Sequence, residues 1–269
     1  MAKRKGADTT TALVTMNEEM KKFAEQYAKT EQSVATGGFF GLKGGILTFE
    51  GAPVTGNKMC VIVLDYILEN VYFPDAYDPD VIIPPKCYAF GREDADMVPH
   101  PLVVAAGHAQ AGESGKCSGC RHNVFGSAET GKGKACGNRR RLAVIPAGTY
   151  KDDKLTVFTN PLQFNAPLAY LKLPVTSGKD FSTYVKQLRG TIEVPPFGVY
   201  TVVSVVPDAK SQFKVQFQAI QPIDEKVFSV VRARHEEATQ NIMFPYPAYQ
   251  EILEVKQVKK VDKKKGRKY

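Results

Sequence analysis

The chain has 269 residues, 43% of them hydrophobic and 24% charged, with a net charge of +8 and five cysteines. This composition excludes a disordered polymer, and no run reaches the roughly 18 apolar residues of a membrane span, the longest, Met59 to Leu68, being broken by Asp65. The opening Met-Ala-Lys-Arg-Lys-Gly carries charge with no apolar stretch behind it, so no secretory leader and a cytoplasmic location are expected.

Residues 1–14 are polar and are expected to be disordered. Thr15-Met-Asn-Glu18 has the form of a capping box, and Met16, Met20, Phe23 and Tyr27 follow at spacings of four, three and four. This pattern predicts an amphipathic helix ending before Gly37-Gly38, packed on its own domain or used as a partner or oligomer contact. From Phe39 onward the pattern turns to strand: Ile46–Phe49, Met59–Leu64, Leu68–Phe73 and Cys87–Phe90, with Gly-Ala-Pro and Gly56-Asn57 between the first two. Leu142–Ile145 and Leu155–Phe158 resume it. A short helix is predicted from Thr176 through Leu188, with Phe181, Tyr184, Val185 and Leu188 on one side. Val199–Val206 and Phe213–Ile220 form a strand pair, in which Lys214 and Gln216 alternate with Phe213, Val215 and Phe217 so that one face is wet. Asp224 caps a final helix running to about Asn241.

Between Gly91 and Asn138 there is almost no helix or strand period. A structureless loop of roughly 45 residues is anomalous in a compact domain unless something else holds it. The expected organisation is therefore a single β-rich domain over 15–255, interrupted by an insertion at 91–138, with a basic disordered tail over 256–269. The fold class is mainly β with a few helices (α+β), and the preferred architecture is an OB-like Greek-key barrel with a zinc-stabilised loop insertion.

The cysteines say what holds the insertion. Cys117-Ser-Gly-Cys120 is a two-residue-spaced pair on a turn that Gly119 permits, and fifteen residues intervene before Cys136. Thiolates so spaced reach one tetrahedral ion. Cys87, at the strand before the insertion, is the natural fourth ligand and would tie the insertion back to the sheet, with His100 or His108 as replacements. Closed four-sulfur coordination makes the expected Zn2+ structural. Cys60, inside an apolar run, is expected in the core.

Charge is localised on the same segment. Residues 116–141 carry net +6 and residues 256–269 net +7, which leaves −5 on the rest. Two basic islands on a mildly acidic body point to a polyanionic partner, with solubility as the plain alternative for the tail. Lys116, Arg121, Lys132, Lys134, Arg139, Arg140 and Arg141 are the candidate phosphate contacts, and the alternating glycines of Gly131-Lys-Gly-Lys let backbone amides approach a phosphate. Tyr72, Tyr88 and Phe125 are candidate stacking platforms, since single-stranded nucleic acid is held by flat side chains beside a cationic groove. His122 faces a phosphate or solvent. Enzyme signatures are weak: the Asp75, Asp78, Asp80 loop could hold magnesium for a nuclease, but no second carboxylate cluster accompanies it. Deaminase, hydrolase-elbow and kinase patterns are absent, so no catalytic residue is expected.

The blocks Cys117-x-x-Cys120, Asn123-x-Phe-Gly-Ser127 and Gly131-Lys-Gly-Lys-Ala-Cys136-x-Asn-Arg-Arg-Arg-Leu142 resemble a family of bacteriophage proteins of little assigned function. Gly56-Asn-Lys-Met, Leu64-Asp-Tyr-Ile-Leu-Glu-Asn-Val-Tyr72 and Pro85-x-Cys87-Tyr-Ala-Phe-Gly91 extend the likeness over roughly residues 45–145. A zinc-bearing loop set into an OB barrel is also the plan of phage single-stranded DNA-binding proteins, a resemblance of architecture. The basic end departs from the acidic, partner-recruiting tail usual there. The resemblance implies a non-enzymatic protein that binds single-stranded DNA (or RNA) in replication or recombination, in the cytoplasm of an infected bacterial host, with phage replication or recombination proteins as partners and with oligomers open. The alternative is a zinc-stapled protein-interaction module for a polymerase or replication factor. A virion protein is a further alternative.

Overall fold

The computed structural model describes residues 38–74, 83–129 and 131–249. The chain divides into two units, Met1–Thr36 and Gly37–Tyr269. The first, with the expected amphipathic helix, lies outside the described residues, as do the Asp75–Asp80 loop and the basic tail. All the described residues belong to the second unit.

Its organising element is β4 (Lys58–Tyr72), fifteen residues long. Cys60-Val-Ile-Val-Leu64 is a near-continuous apolar run because both faces of this strand are buried. Met59, Val61 and Val63 enter one core cluster, whereas Cys60, Ile62 and Leu64 enter another on the opposite face. The register shifts between Val63 and Asp65, and beyond that bulge the parity reverses: Tyr66 joins the first cluster and Ile67 the second. Sequence periodicity reads this as two strands; the bulge makes it one. Asp65 at the bulge accepts from Arg92 at 2.5 and 2.6 Å and from the Tyr66 amide at 2.8 Å.

The strands β1 (Gly38–Gly41), β2 (Thr48–Phe49), β3 (Ala52–Pro53), β5 (Cys87–Gly91), β6 (Cys136–Pro146), β9 (Ala169–Leu173), β10 (Val199–Asp208) and β11 (Gln212–Pro222) complete a nine-stranded sheet with β4. Its order is β11-β10-β4-β6-β9-β1-β2-β3, with β5 beside the second half of β4. Only the β1–β9 pair is parallel among the described residues. The sheet curls as a half-barrel, and among the described residues no pairing of β11 with β3 closes it. A separate hairpin joins β7 (Gly148–Lys151) to β8 (Lys154–Val157).

Three helices accompany the strands among the described residues: α1 (Pro101–Ala105), α2 (Gly178–Thr191) and α3 (Glu225–Asn241). In α2, Phe181, Tyr184 and Leu188 fall on one face and are buried against the first cluster. The Tyr184 hydroxyl pairs with Thr201 Oγ1 at 2.6 Å, so both buried hydroxyls are satisfied. Asp224 Oδ1 accepts from the Lys226 amide at 2.9 Å to cap α3, as its position predicts. Val227, Val231 and Ala238 then cover the second face of the sheet. The result is a mixed α+β fold, mostly strand, with apolar layers on both sides of the sheet.

Candidate metal centre and nucleic-acid interface

The insertion leaves the sheet after β5 and returns at β6. Cys87 is the first residue of β5 and Cys136 the first of β6, and both stand opposite Tyr72 of β4. Cross-strand partners share a face, so the sheet itself brings these two cysteines to one level and one side. Cys117 and Cys120 come from the insertion, on a 3-10 turn closed by the Cys120 amide donating to Cys117 O at 3.2 Å. The turn is anchored by the Cys117 amide on Met97 O at 2.9 Å. At Gly119 a Cβ would stand 2.5 Å from Ser114 Oγ, so only glycine lets the turn pack this closely.

All four sulfur-bearing side chains line one cavity of ≈ 20 Å³, with Asn70, Gln110, His122 and Asn123 in its wall. That is room for about one water-sized sphere. The four are free and buried. Burial pushes the Cys117 thiol up to about 11 and the Cys136 thiol to about 12, each raised further by the neighbouring cysteines. Cys87 is raised as well, chiefly by burial. The Cys120 sulfur donates to Gln110 O at 3.0 Å. Among the described residues no group of three or more His, Cys, Asp or Glu is arranged to hold an ion.

One wall group has no partner: the Asn70 amide nitrogen is buried and makes no hydrogen bond. Its prospective acceptor is the Cys117 sulfur, whose ionisation a hydrogen bond from Asn70 would ease against the larger opposing effect of burial. The donor set (four soft sulfurs and an amide N–H without an acceptor) fits a thiolate-bound metal such as Zn2+. The histidines fall elsewhere. His100 caps α1, accepting from the Leu102 amide at 3.2 Å, and stacks on Tyr88 at 4.9 Å between centroids. His108 borders a different cleft beside Tyr249. His122, expected to face phosphate or solvent, instead lines the cysteine cavity and stacks on Tyr72 at 4.0 Å.

Beyond Cys120 the insertion forms a tight tip. The Gly126 amide donates to Gly133 O at 2.7 Å and the Gly131 amide to Ala128 O at 2.7 Å. The Ser127 hydroxyl donates to His122 O and accepts from the Ala135 amide, each at 3.0 Å. Gly126 and Gly133 have φ of 90° and 89°, backbone that strongly favours glycine. The Gly131 amide is spent inside the turn and is not offered to a phosphate. At the apex Phe125 is 79% exposed, with Val124 exposed beside it. Arg121, Lys132 and Lys134 are on the same segment, with Arg121 and Lys132 exposed. Lys134 donates to Asn123 Oδ1 at 3.0 Å, and Lys116 lies 3.7 Å from Asp96.

The other candidate contacts are corrected by strand alternation. The arginine run expected in a loop lies in β6, so Arg140 points to one face and Arg139 and Arg141 to the other. Arg141 is fully buried. It pairs with Glu69, donates to Ile242 O at 3.0 Å and Phe244 O at 2.8 Å, and sits over the rings of Phe90, Phe244 and Tyr246. It cannot grip a phosphate. Arg140 donates to Ser182 Oγ at 3.0 Å, and Arg139 lies 5.7 Å from the Phe73 ring centroid; both are half-buried. Tyr88 is 4% exposed, wedged among Phe90, His100 and Tyr246, and offers no platform. Tyr72 is half-buried under His122. Phe125 is the sequence candidate left open to stack. Sequence reasoning gave no role to Asn70, Asn123 and Asn138, although all three fall inside the blocks of resemblance; their amides join the cavity to the tip. No family model, curated protein or solved structure matches the chain.

Proposed function

We propose that this is a non-enzymatic single-stranded DNA-binding protein that organises the strand through the tip of its insertion. The observation that carries the reading is Phe125, a large aromatic 79% exposed on a segment that also carries Arg121, Lys132 and Lys134. A buried position would be the default for a phenylalanine; exposed on a glycine-shaped turn of a cationic segment, it suits base stacking beside a phosphate track. In this reading Cys87, Cys117, Cys120 and Cys136 hold a structural Zn2+ that fixes the tip. The curved sheet supplies a rigid base, and the OB-like architecture enters only as the idea of a ligand laid across a curled β-surface. A phage origin, action in replication or recombination, and a location in the cytoplasm of the infected host belong to the same proposal.

The test is a fluorescence-anisotropy titration of zinc-loaded protein with a single-stranded oligonucleotide and with duplex of equal length, across a salt series. Strand-selective binding that weakens with salt is expected. Phe125→Ala should weaken it by about 1–3 kcal/mol, the usual worth of one base stack, without altering the salt slope. Replacing Arg121, Lys132 and Lys134 together with alanine should flatten the slope. Equal, weak binding to both oligonucleotides would overturn the reading. The second reading, a protein-interaction module, draws on Val98, Leu102 and Val104, three apolar side chains exposed on the insertion; it predicts loss of a protein partner, and not of DNA, when they become polar.

A further inference from the structure

The cavity and the tip are joined by three carboxamides. Asn138 Nδ2 donates to Asn70 Oδ1 at 2.6 Å and to Asn123 Oδ1 at 3.0 Å, which uses both its hydrogens. Asn123 Oδ1 also accepts from Lys134 Nζ at 3.0 Å, and Asn123 Nδ2 donates to Cys117 O at 2.9 Å. These bonds fix which end of each amide is oxygen and which is nitrogen. They leave one donor over, Asn70 Nδ2, on a side chain 3% exposed that lines the cavity with the four cysteines.

A buried donor without an acceptor is destabilising, and native folds rarely keep one without a purpose. A neutral thiol is a weak acceptor and a metal-bound thiolate a good one. When a metal displaces the Cys117 proton to solvent, the sulfur becomes the acceptor that Asn70 lacks. The chain of bonds then runs unbroken from the metal ligand to the Lys134 ammonium.

We propose that Asn70 is a positioning residue for a metal held by Cys87, Cys117, Cys120 and Cys136, donating to the Cys117 sulfur and, through Asn138 and Asn123, holding Lys134 in place, so that metal occupancy sets the cationic grip of the tip. Only the last step rests on the DNA-binding reading.

Cobalt(II) titration of the full chain tests the first steps. The parent should develop thiolate-to-cobalt charge-transfer absorption and the visible bands of a tetrahedral ion; their absence overturns the site. Asn70→Ala should keep the spectrum but bind cobalt about 10–100-fold more weakly, the usual cost of losing an outer hydrogen bond to a ligand. Unchanged affinity overturns the role of Asn70. Should that variant fail to fold by circular dichroism, the cadmium-loaded parent decides the matter, since a hydrogen bond to the metal-bound sulfur couples the Asn70 side-chain proton to the cadmium nucleus in NMR. No coupling overturns the contact.

For the last step, single-stranded oligonucleotide is titrated into zinc-loaded and chelated protein. Affinity should fall on chelation in the parent, and that dependence should shrink in Lys134→Ala, whose cobalt complex should keep the tetrahedral visible bands of the parent. An equal chelation effect in both overturns the link to Lys134. A parent that binds no oligonucleotide at either loading overturns the DNA-binding reading, while the cobalt and cadmium results still decide Asn70.

Discussion

Arg141 shows burial overriding charge. Its guanidinium and the Glu69 carboxylate are both fully buried and paired, and the Tyr246 hydroxyl adds a hydrogen bond to the same Glu69 oxygen at 2.8 Å. The other oxygen, Oε2, has no partner. A pair of this kind contributes little net stability, because desolvation offsets attraction, but breaking it strands a charge. Arg141→Ala should therefore cost about 3–5 kcal/mol in urea denaturation, whereas Arg141→Met with Glu69→Leu should cost clearly less. A double variant as unstable as the single would count against stranded charge as the cause. Lys172, on the same face, makes the complementary case. Burial, outweighing the pull of Glu69 and reinforced by Arg141 and Arg139, lowers it to about 8 from its ordinary 10.5. It rests over the rings of Tyr246 at 4.2 Å and Phe39 at 5.1 Å. Since the folded state holds this proton less tightly than the unfolded chain, protonated Lys172 destabilises the fold at neutral pH. That penalty disappears as pH rises from about 8 toward the unfolded value. Lys172→Met should gain stability over the parent at neutral pH, and the gap should narrow near pH 10; a pH-independent gap would show that the ammonium is already solvated.

At the scale of elements, legibility follows how local the determining physics is. The α2 face, the Asp224 cap of α3 and the β10–β11 pair were readable because helix spacing, a capping side chain and period-two alternation are written in adjacent residues. β9 was not foreseen: Ala169–Leu173 is short, and its place between β6 and β1 is a matter of long-range pairing. β6 was foreseen only in its apolar half. Asn138-Arg-Arg-Arg141 has the composition of a loop, and what keeps it in strand is continuous pairing with β4 beside a buried glutamate that requires an arginine. The candidate site divides the same way. Cysteine spacing and the place of Cys87 before the insertion suggested a common site, and the four side chains line one cavity. Arg141 was misread as a phosphate contact because composition does not say on which face of a strand a charge emerges.

At the scale of the molecule, two parts with different means of support share one chain. The sheet is held by apolar clusters on both faces, built from β4, β6, β9 and β10 with α2 and α3, and neither of these two clusters draws a buried side chain from the insertion. The insertion, by contrast, has Met97, Val103 and Ala111 as its buried hydrophobic side chains beside Cys117 and Cys120 among the described residues. Its regular structure is α1 and a series of 3-10 turns. Apolar burial on that scale does not offset the conformational entropy of ordering so long a segment; a metal cross-link between two sheet cysteines and two insertion cysteines would. Chelation should then act on one part alone. Hydrogen exchange followed by mass spectrometry should show protection lost across residues 97–134 and the ends of β5 and β6 nearest Cys87 and Cys136, while 59–66 of β4 and the buried face of α2 keep theirs. Far-ultraviolet circular dichroism should change little, since the strands survive. Protection that falls everywhere at once would make the metal part of the core, and protection that falls nowhere would mean the insertion stands on its own contacts. The split outcome is the one expected of a rigid sheet presenting a separately fastened tip.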